Sequence, residues 1–307
     1  MEFNHNDFDV INEIKKLKEQ KNAVILAHNY QLPEIQDIAD YIGDSLDLSK
    51  KAKELKESVI IFCGVRFMAE TAKILSPEKR VFLPVYDAGC PMADMVTFEE
   101  LKKFKNENPD YFIVSYVNTS ALVKSISDIC CTSANAIKIV KNIPAKKILF
   151  VPDKNLGNYV KKSVPEKEIK LWPGYCIVHI RIKVEELKAI KKLHPDALLL
   201  VHPECEPEVV EIADEVLSTN GMIKFVKESN KKEFIIGTEE GLVYRLKKEN
   251  PDKIFYYPGT PPVCINMKKT RLLNVLNSLK YEQYEIILEK EVIENSQIAL
   301  NRMLEYS

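Results

Sequence analysis

The chain lacks any apolar run near the roughly 20 residues a bilayer-spanning helix needs, so no membrane span is expected. It lacks a charge excess of either sign. Its 44 basic and 45 acidic residues leave a net charge of −1, which gives no electrostatic footprint for nucleic acid or an anionic lipid surface. An apolar leader is missing too: Met1 to Val10 is polar and mildly acidic, unlike a secretory signal, so a cytoplasmic location is expected. No CxxC pair occurs, which argues against a zinc ribbon or a thioredoxin-like site. The 7 cysteines are odd in number and irregularly spaced, unlike the framework of a small secreted domain. In a reducing compartment such thiols are buried, catalytic or metal-bound. What is present is ordinary globular material, 46% hydrophobic and 29% charged over 307 residues, enough for a sizeable core.

The informative pattern is an internal repeat. Three short apolar runs read as buried parallel strands: Ala23 to Ala27, Tyr111 to Ser115, and Ala197 to Val201. They end in His28, Tyr116 and His202, which lie 88 and 86 residues apart. Ser45, Ser133 and Thr219 keep the same offsets, and each stands at the opening of a helical stretch. A second strand follows in each copy, at Val59 to Phe62, Ile148 to Val151 and Phe234 to Ile236. After a third strand come Cys90, Cys176 and Cys264, 86 and 88 residues apart. Four kinds of element in one order and one register predict a triplicated α/β unit with short parallel sheets. The expected units are 1–92 with 265–307, 93–178 and 179–264. Three such αβα units are expected to pack about a pseudo-threefold axis. The helical tail from Arg271 is expected to pack back on the first unit.

In parallel sheets the functional loops lie at the carboxyl ends of the strands. Those loops carry His28, Tyr116 and His202, then Tyr30, Asn118 and Glu204, several of them good proton-transfer groups. Glu204 follows a buried strand directly, so it must be paired, protonated or catalytic. Ser45, Ser133 and Thr219 sit where helix N-caps belong. Converging helix N-termini favour a multiply anionic guest, although each residue alone could be no more than a cap.

Gly and Pro around Cys90, Cys176 and Cys264 fix tight non-helical loops that can present thiolates inward. Three thiolates make a cap for a cubane iron–sulfur cluster and leave one iron open as a Lewis acid. Electron-transfer clusters use four cysteines, so three argue for non-redox chemistry. Cys176-x-x-His179 offers half of a zinc site as a competing metal reading, and ordinary buried thiols are a third. Burial is the expected state of Cys63, Cys130, Cys131 and Cys205. His179 is expected to open the third unit with a local hydrogen bond.

The motifs resemble the quinolinate synthase family. The resemblance rests on Ala27-His28-Asn29-Tyr30, Gly43-Asp44-Ser45, Gly64 to Ala72, Ala88-Gly89-Cys90-Pro91-Met92-Ala93-Asp94, Tyr116-Val117-Asn118 and Thr132-Ser133-Ala134-Asn135. It continues through Pro173-Gly174-Tyr175-Cys176 with His179, His202-Pro203-Glu204-Cys205 and Cys264-Ile265-Asn266-Met267-Lys268. It implies three α/β units around one [4Fe–4S] cluster held by Cys90, Cys176 and Cys264. It also implies condensation of iminoaspartate with dihydroxyacetone phosphate to quinolinate, phosphate and two waters, in the synthesis of NAD. Ser45, Ser133 and Thr219 would hold phosphate or carboxylate, and His28, Tyr116, Asn118 and His202 would orient substrate. Tyr30 and Glu204, with His202, would carry the acid–base work, and Lys268 would close the site. An aspartate-oxidising enzyme is implied as the source of iminoaspartate. Some members carry an extra cysteine pair near the third ligand. Met267 stands there instead, so that device is not expected. Two other readings stay open: a zinc-dependent lyase or aldolase, and a three-lobed carrier of phosphorylated metabolites without catalysis.

Overall fold

The computed structural model describes residues 5–306. One eight-element order, helix and strand in alternation, occurs three times. The first copy runs α1 (His5–Gln20), β1 (Ala23–His28), α2 (Pro33–Ile38), β2 (Tyr41–Gly43), α3 (Ser45–Glu54), β3 (Val59–Cys63), α4 (Arg66–Leu75) and β4 (Arg80–Phe82). The second runs α5 (Phe98–Glu107), β5 (Phe112–Tyr116), α6 (Ala121–Ser125), β6 (Ile129–Cys131), α7 (Ala136–Asn142), β7 (Lys147–Val151), α8 (Lys154–Ser163) and β8 (Glu168–Leu171). The third runs α9 (Val184–Leu193), β9 (Leu198–Val201), α10 (Pro207–Glu211), β10 (Glu215–Val216), α11 (Thr219–Glu228), β11 (Glu233–Gly237), α12 (Gly241–Glu249) and β12 (Ile254–Tyr256). Two further helices follow, α13 (Leu272–Tyr281) and α14 (Lys290–Glu305).

Each copy forms a four-stranded parallel sheet, in orders β2-β1-β3-β4, β6-β5-β7-β8 and β10-β9-β11-β12. The α/β class and the three αβα units read from the repeat are therefore observed. Each sheet has one edge strand beyond the three predicted: β2, β6 and β10 are only three, three and two residues long. Such short pieces carry too few side chains to show a period. One aspartate per copy pins that edge. Asp40, Asp128 and Asp214 take the amides of Ile25, Ile113 and Leu199 at 2.8, 2.7 and 2.7 Å. Lys18, Lys105 and Lys191 of the preceding helices pair with the same three carboxylates.

Strand alternation divides the core. On β1, Val24 and Leu26 face a large core shared by all three sheets, while Ile25 and Ala27 face an outer layer. Val114 against Ile113, and Ile236 against Ile235, repeat the division in the second and third copies. The shared core joins the sheets with their carboxyl ends around one cavity. The tail divides its contacts. Helix α13 packs on α1 and β3 of the first copy, as the sequence predicts. Helix α14 runs along α6 and β6 of the second copy and also touches α4 of the first. Its Ser296 hydroxyl donates to the Ala121 carbonyl at 2.9 Å. No described helix is long and apolar enough to cross a membrane.

Candidate active site

The cavity has a volume of about 750 Å³, its mouth included. Twelve of the thirteen site residues predicted from sequence line it: Tyr30, Glu204, His202, His28, Ser45, Tyr116, Asn118, Ser133, Thr219, Cys90, Cys176 and Cys264. Lys268 does not. Its ammonium lies behind the wall, 3.1 Å from Glu239 and donating to the Tyr30 carbonyl at 2.7 Å. Gly241 permits that approach, because a Cβ there would stand 2.8 Å from the Tyr30 carbonyl and 2.7 Å from the Lys268 ammonium.

Ser45, Ser133 and Thr219 are not N-caps, contrary to expectation. A cap needs extended backbone just before the helix and a side-chain acceptor. Asp44 supplies both for α3, taking the Leu46 and Asp47 amides at 3.0 Å. Ser218 does so for α11 through the Gly221 amide at 3.1 Å. Ser45 and Thr219 are thus the first helical residues, and Ser133 precedes α7 by a short turn. Their hydroxyls are spared for other partners. Thr219 Oγ1 accepts from Asn29 at 2.9 Å, and Ser133 Oγ lies 3.2 Å from His202 Nε2. Asn118 Oδ1 is buried on the cavity wall with no partner among the described residues.

Glu204 is the centre of the acid–base groups. It is 3% exposed. Tyr116 donates to its Oε1 at 2.6 Å, and His179 Nδ1 lies 2.8 Å from its Oε2. His179 Nε2 is 2.9 Å from the Thr238 hydroxyl, which is 2.6 Å from the Tyr30 hydroxyl. With Glu204 ionised and His179 neutral these bonds have one polarity: Tyr30 donates to Thr238, Thr238 to His179, and His179 to Glu204. The histidine is therefore no mere local contact. Sequence reading gave it half of a zinc site or a local hydrogen bond and no part in the acid–base set, although its place three residues after Cys176 was a signal. Thr238 carried no signal at all.

Burial would raise Glu204, but two effects outweigh it. The neighbouring His202 and His179 and the hydrogen bonds from His179 and Tyr116 hold its carboxyl below the usual range. Burial pushes His28 and His202 down to about 3, so both imidazoles are neutral near pH 7. Burial and then the Glu204 charge push Tyr30 and Tyr116 well up, so both phenols keep their protons.

The three cysteines share one local design. The Cys90 sulfur receives the Ala93 and Met92 amides, that of Cys176 the His179 and Val178 amides, and that of Cys264 the Met267 and Asn266 amides. Each cysteine carbonyl also closes a short turn, with Ala93, Ile180 and Lys268 at 2.9, 3.2 and 3.2 Å. Each sulfur is thus placed like a helix cap, a position that favours a thiolate. The Cys264 amide further donates to the buried Glu239 carboxylate at 3.0 Å. Gly174 is required on the Cys176 loop, since a Cβ there would stand 2.5 Å from the Pro152 carbonyl oxygen. Burial pushes Cys90 up to about 12 and raises the other two, so a metal must displace protons on binding. Three partly buried thiols from three copies of the unit, without disulfides and with amides aimed at the sulfurs, fit a group that takes three thiolates. The ligand atoms of Cys176, His179 and Glu204 also lie within 4.8 Å of one another. Cys63, Cys130, Cys131 and Cys205 are buried as predicted, and none lines the cavity.

Fold and site together define an α/β enzyme in which three cysteines meet beside a hydrogen-bonded acid–base network in one cavity. The family model described as NadA, quinolinate synthetase A protein, matches residues 12–305. A quinolinate synthase of Caldicellulosiruptor saccharolyticus is 59% identical over 295 residues, 96% of this chain and 97% of the relative. One from Alkaliphilus metalliredigens is 55% identical over 300 residues, 98% and 99% of the two chains. One from Thermodesulfovibrio yellowstonii is 56% identical over 294 residues, covering 96% and 97%. The chain belongs to the quinolinate synthase family.

Proposed function

We propose that the chain condenses iminoaspartate with dihydroxyacetone phosphate, releasing quinolinate, phosphate and two waters. The carrying observation is that Cys90, Cys176 and Cys264 line the same cavity as Glu204, Tyr30, Ser45, Ser133 and Thr219. In this reading the three thiolates hold one [4Fe–4S] cluster, which supplies a Lewis acid when bound. Ser45, Ser133 and Thr219 hold the phosphate and carboxylates, and Asn118 meets a polar group of the guest through its unpartnered Oδ1. Neutral His28 and His202 orient the guest without adding charge. Ionised Glu204 takes protons as general base and Tyr30 gives them as general acid. The Thr238–His179 link connects Tyr30 to Glu204 by hydrogen bonds, so the acid and the base are held in one network. Lys268 acts from behind the wall, steadying the Tyr30 carbonyl and Glu239. The units 1–92 with 265–307, 93–178 and 179–264 belong to the same reading, and each sheet falls wholly inside one of them. So does coupling to an aspartate-oxidising enzyme, because iminoaspartate must be supplied by oxidation of an amino acid.

A zinc-dependent lyase is the second reading, favoured by the Cys176, His179 and Glu204 grouping. It leaves Cys90 and Cys264 without a purpose. Anaerobic purification and metal analysis separate the two. About four irons per chain and quinolinate formed from the two substrates support the cluster enzyme. One zinc per chain, or unchanged quinolinate formation by Cys176→Ala, refutes it.

A further inference from the structure

One buried cation has no place in this chemistry. Lys124 of α6 is 0% exposed. Its ammonium donates to the Thr119 carbonyl and sits 5.6 Å from the centre of the Phe67 ring. The Thr119 hydroxyl donates to the Tyr116 carbonyl at 3.1 Å. From the first copy, Glu70 of α4 takes the Ala121 amide at 2.9 Å. Glu70 is 7% exposed and lies within electrostatic reach of Lys124. The segment between these anchors carries Tyr116 and Asn118 into the cavity. Asn118 Oδ1 has no partner among the described residues, so its aim is set by the backbone that bears it.

Packing alone does not call for this arrangement. A buried charge pair is often no more stabilising than hydrocarbon of the same shape, and a buried lysine is expensive. What the pair does is hold two backbone groups of a cavity loop, the Thr119 carbonyl and the Ala121 amide, from two different copies of the unit. We propose that Lys124 and Glu70 are positioning residues that clamp the Tyr116–Ala121 loop and thereby aim Asn118 at the carboxylate-bearing guest. This deepens the function proposed above and rests on it.

The test uses the full metal-loaded chain and pyridine-2,3-dicarboxylate as the probe, with binding followed by calorimetry. Lys124→Met should weaken binding about tenfold or more, since a misplacement near 1 Å is felt that strongly. Its melting temperature should stay within a few degrees of wild type. Asn118→Ala should weaken binding comparably, and the double variant should be no weaker than the poorer single variant, because one residue acts through the other. Wild-type affinity in Lys124→Met, or losses that multiply in the double variant, would overturn the proposal. Should Lys124→Met not fold, Glu70→Gln keeps the Ala121 acceptor and removes the charge. It should weaken the dicarboxylate several-fold, and unchanged binding counts against the clamp. Amide exchange reads the clamp without ligand. Residues 117–121 should exchange about tenfold faster in either variant while β5 stays protected, and unchanged exchange overturns the clamp. A wild-type chain that ignores the dicarboxylate but shows this exchange pattern sinks the function reading and leaves the clamp standing.

Discussion

Glu204→Gln removes one negative charge from the middle of the cavity and changes little else. The shape is kept, and the backbone carbonyl of Glu204 still accepts from Asn155 at 3.2 Å. The wild-type carboxylate takes the Tyr116 hydroxyl at 2.6 Å and faces His179 at 2.8 Å. Hydrogen bonds to a charged group are worth about 1.5–3 kcal/mol each, against about 1 for a neutral pair. The amide can accept one of the two, and relief from burying a charge offsets part of the loss. Stability should therefore fall by only about 1–3 kcal/mol. Turnover should fall much further, by about 10²–10⁴-fold, the usual contribution of a placed general base. Tyr30 and Tyr116 should ionise at lower pH, because the Glu204 charge is one cause of their elevation. The assays are anaerobic quinolinate formation, iron per chain and ultraviolet difference titration of the tyrosines. Turnover within about threefold of wild type would refute the reasoning, and so would loss of iron, which would make Glu204 structural.

Cys90→Ser, Cys176→Ser and Cys264→Ser should each lose most bound iron while the apo-proteins keep wild-type circular dichroism; full iron in any one removes that residue from the ligand set. Gly241→Ala should depress turnover with little loss of helix content, because its methyl meets the Tyr30 carbonyl and the Lys268 ammonium; unimpaired kinetics would show that the Tyr30 loop tolerates displacement. Lys124 is held down to about 8 by burial, against 10.5 when free. The unfolded chain therefore binds the extra proton between these values. The stability of wild type relative to Lys124→Met should rise by about 3 kcal/mol as pH climbs through that window, and denaturant titrations that give a flat difference contradict it. His28 and His202 have folded values near 3 against 6.5 unfolded. Their contribution is complete above 6.5 and should be lost below it, at about 1.4 kcal/mol per pH unit for each residue; asparagine replacements should remove that acid sensitivity, as acid-unfolding curves will show.

Much of the architecture was legible before any coordinates. Core strands such as Val59–Cys63 and Lys147–Val151 are apolar on both faces, and buried parallel strands must read that way. The 86- and 88-residue offsets marked matching strand ends, so His28, Tyr116 and His202 could be aligned without knowing where the sheets lie. Local chemistry was harder to read. Asp44 and Ser45 are both sound cap residues, and only the extended backbone at Asp44 decides between them. The short edge strands were hidden because their place depends on Asp40, Asp128 and Asp214 reaching a neighbouring strand.

By itself, then, the amino-acid order determined the triplicated α/β unit, the three thiols and the repeated polar residues of the cavity wall, because those features repeat along the chain. Tertiary structure alone decided that His179 and Thr238 join Tyr30 to Glu204, that Lys268 stands behind the wall, and that α14 lies across the second copy. These contacts join residues far apart in the chain, from 25 between His179 and Glu204 to 238 between Tyr30 and Lys268. They have no counterpart in the other copies, so no period along the sequence could announce them.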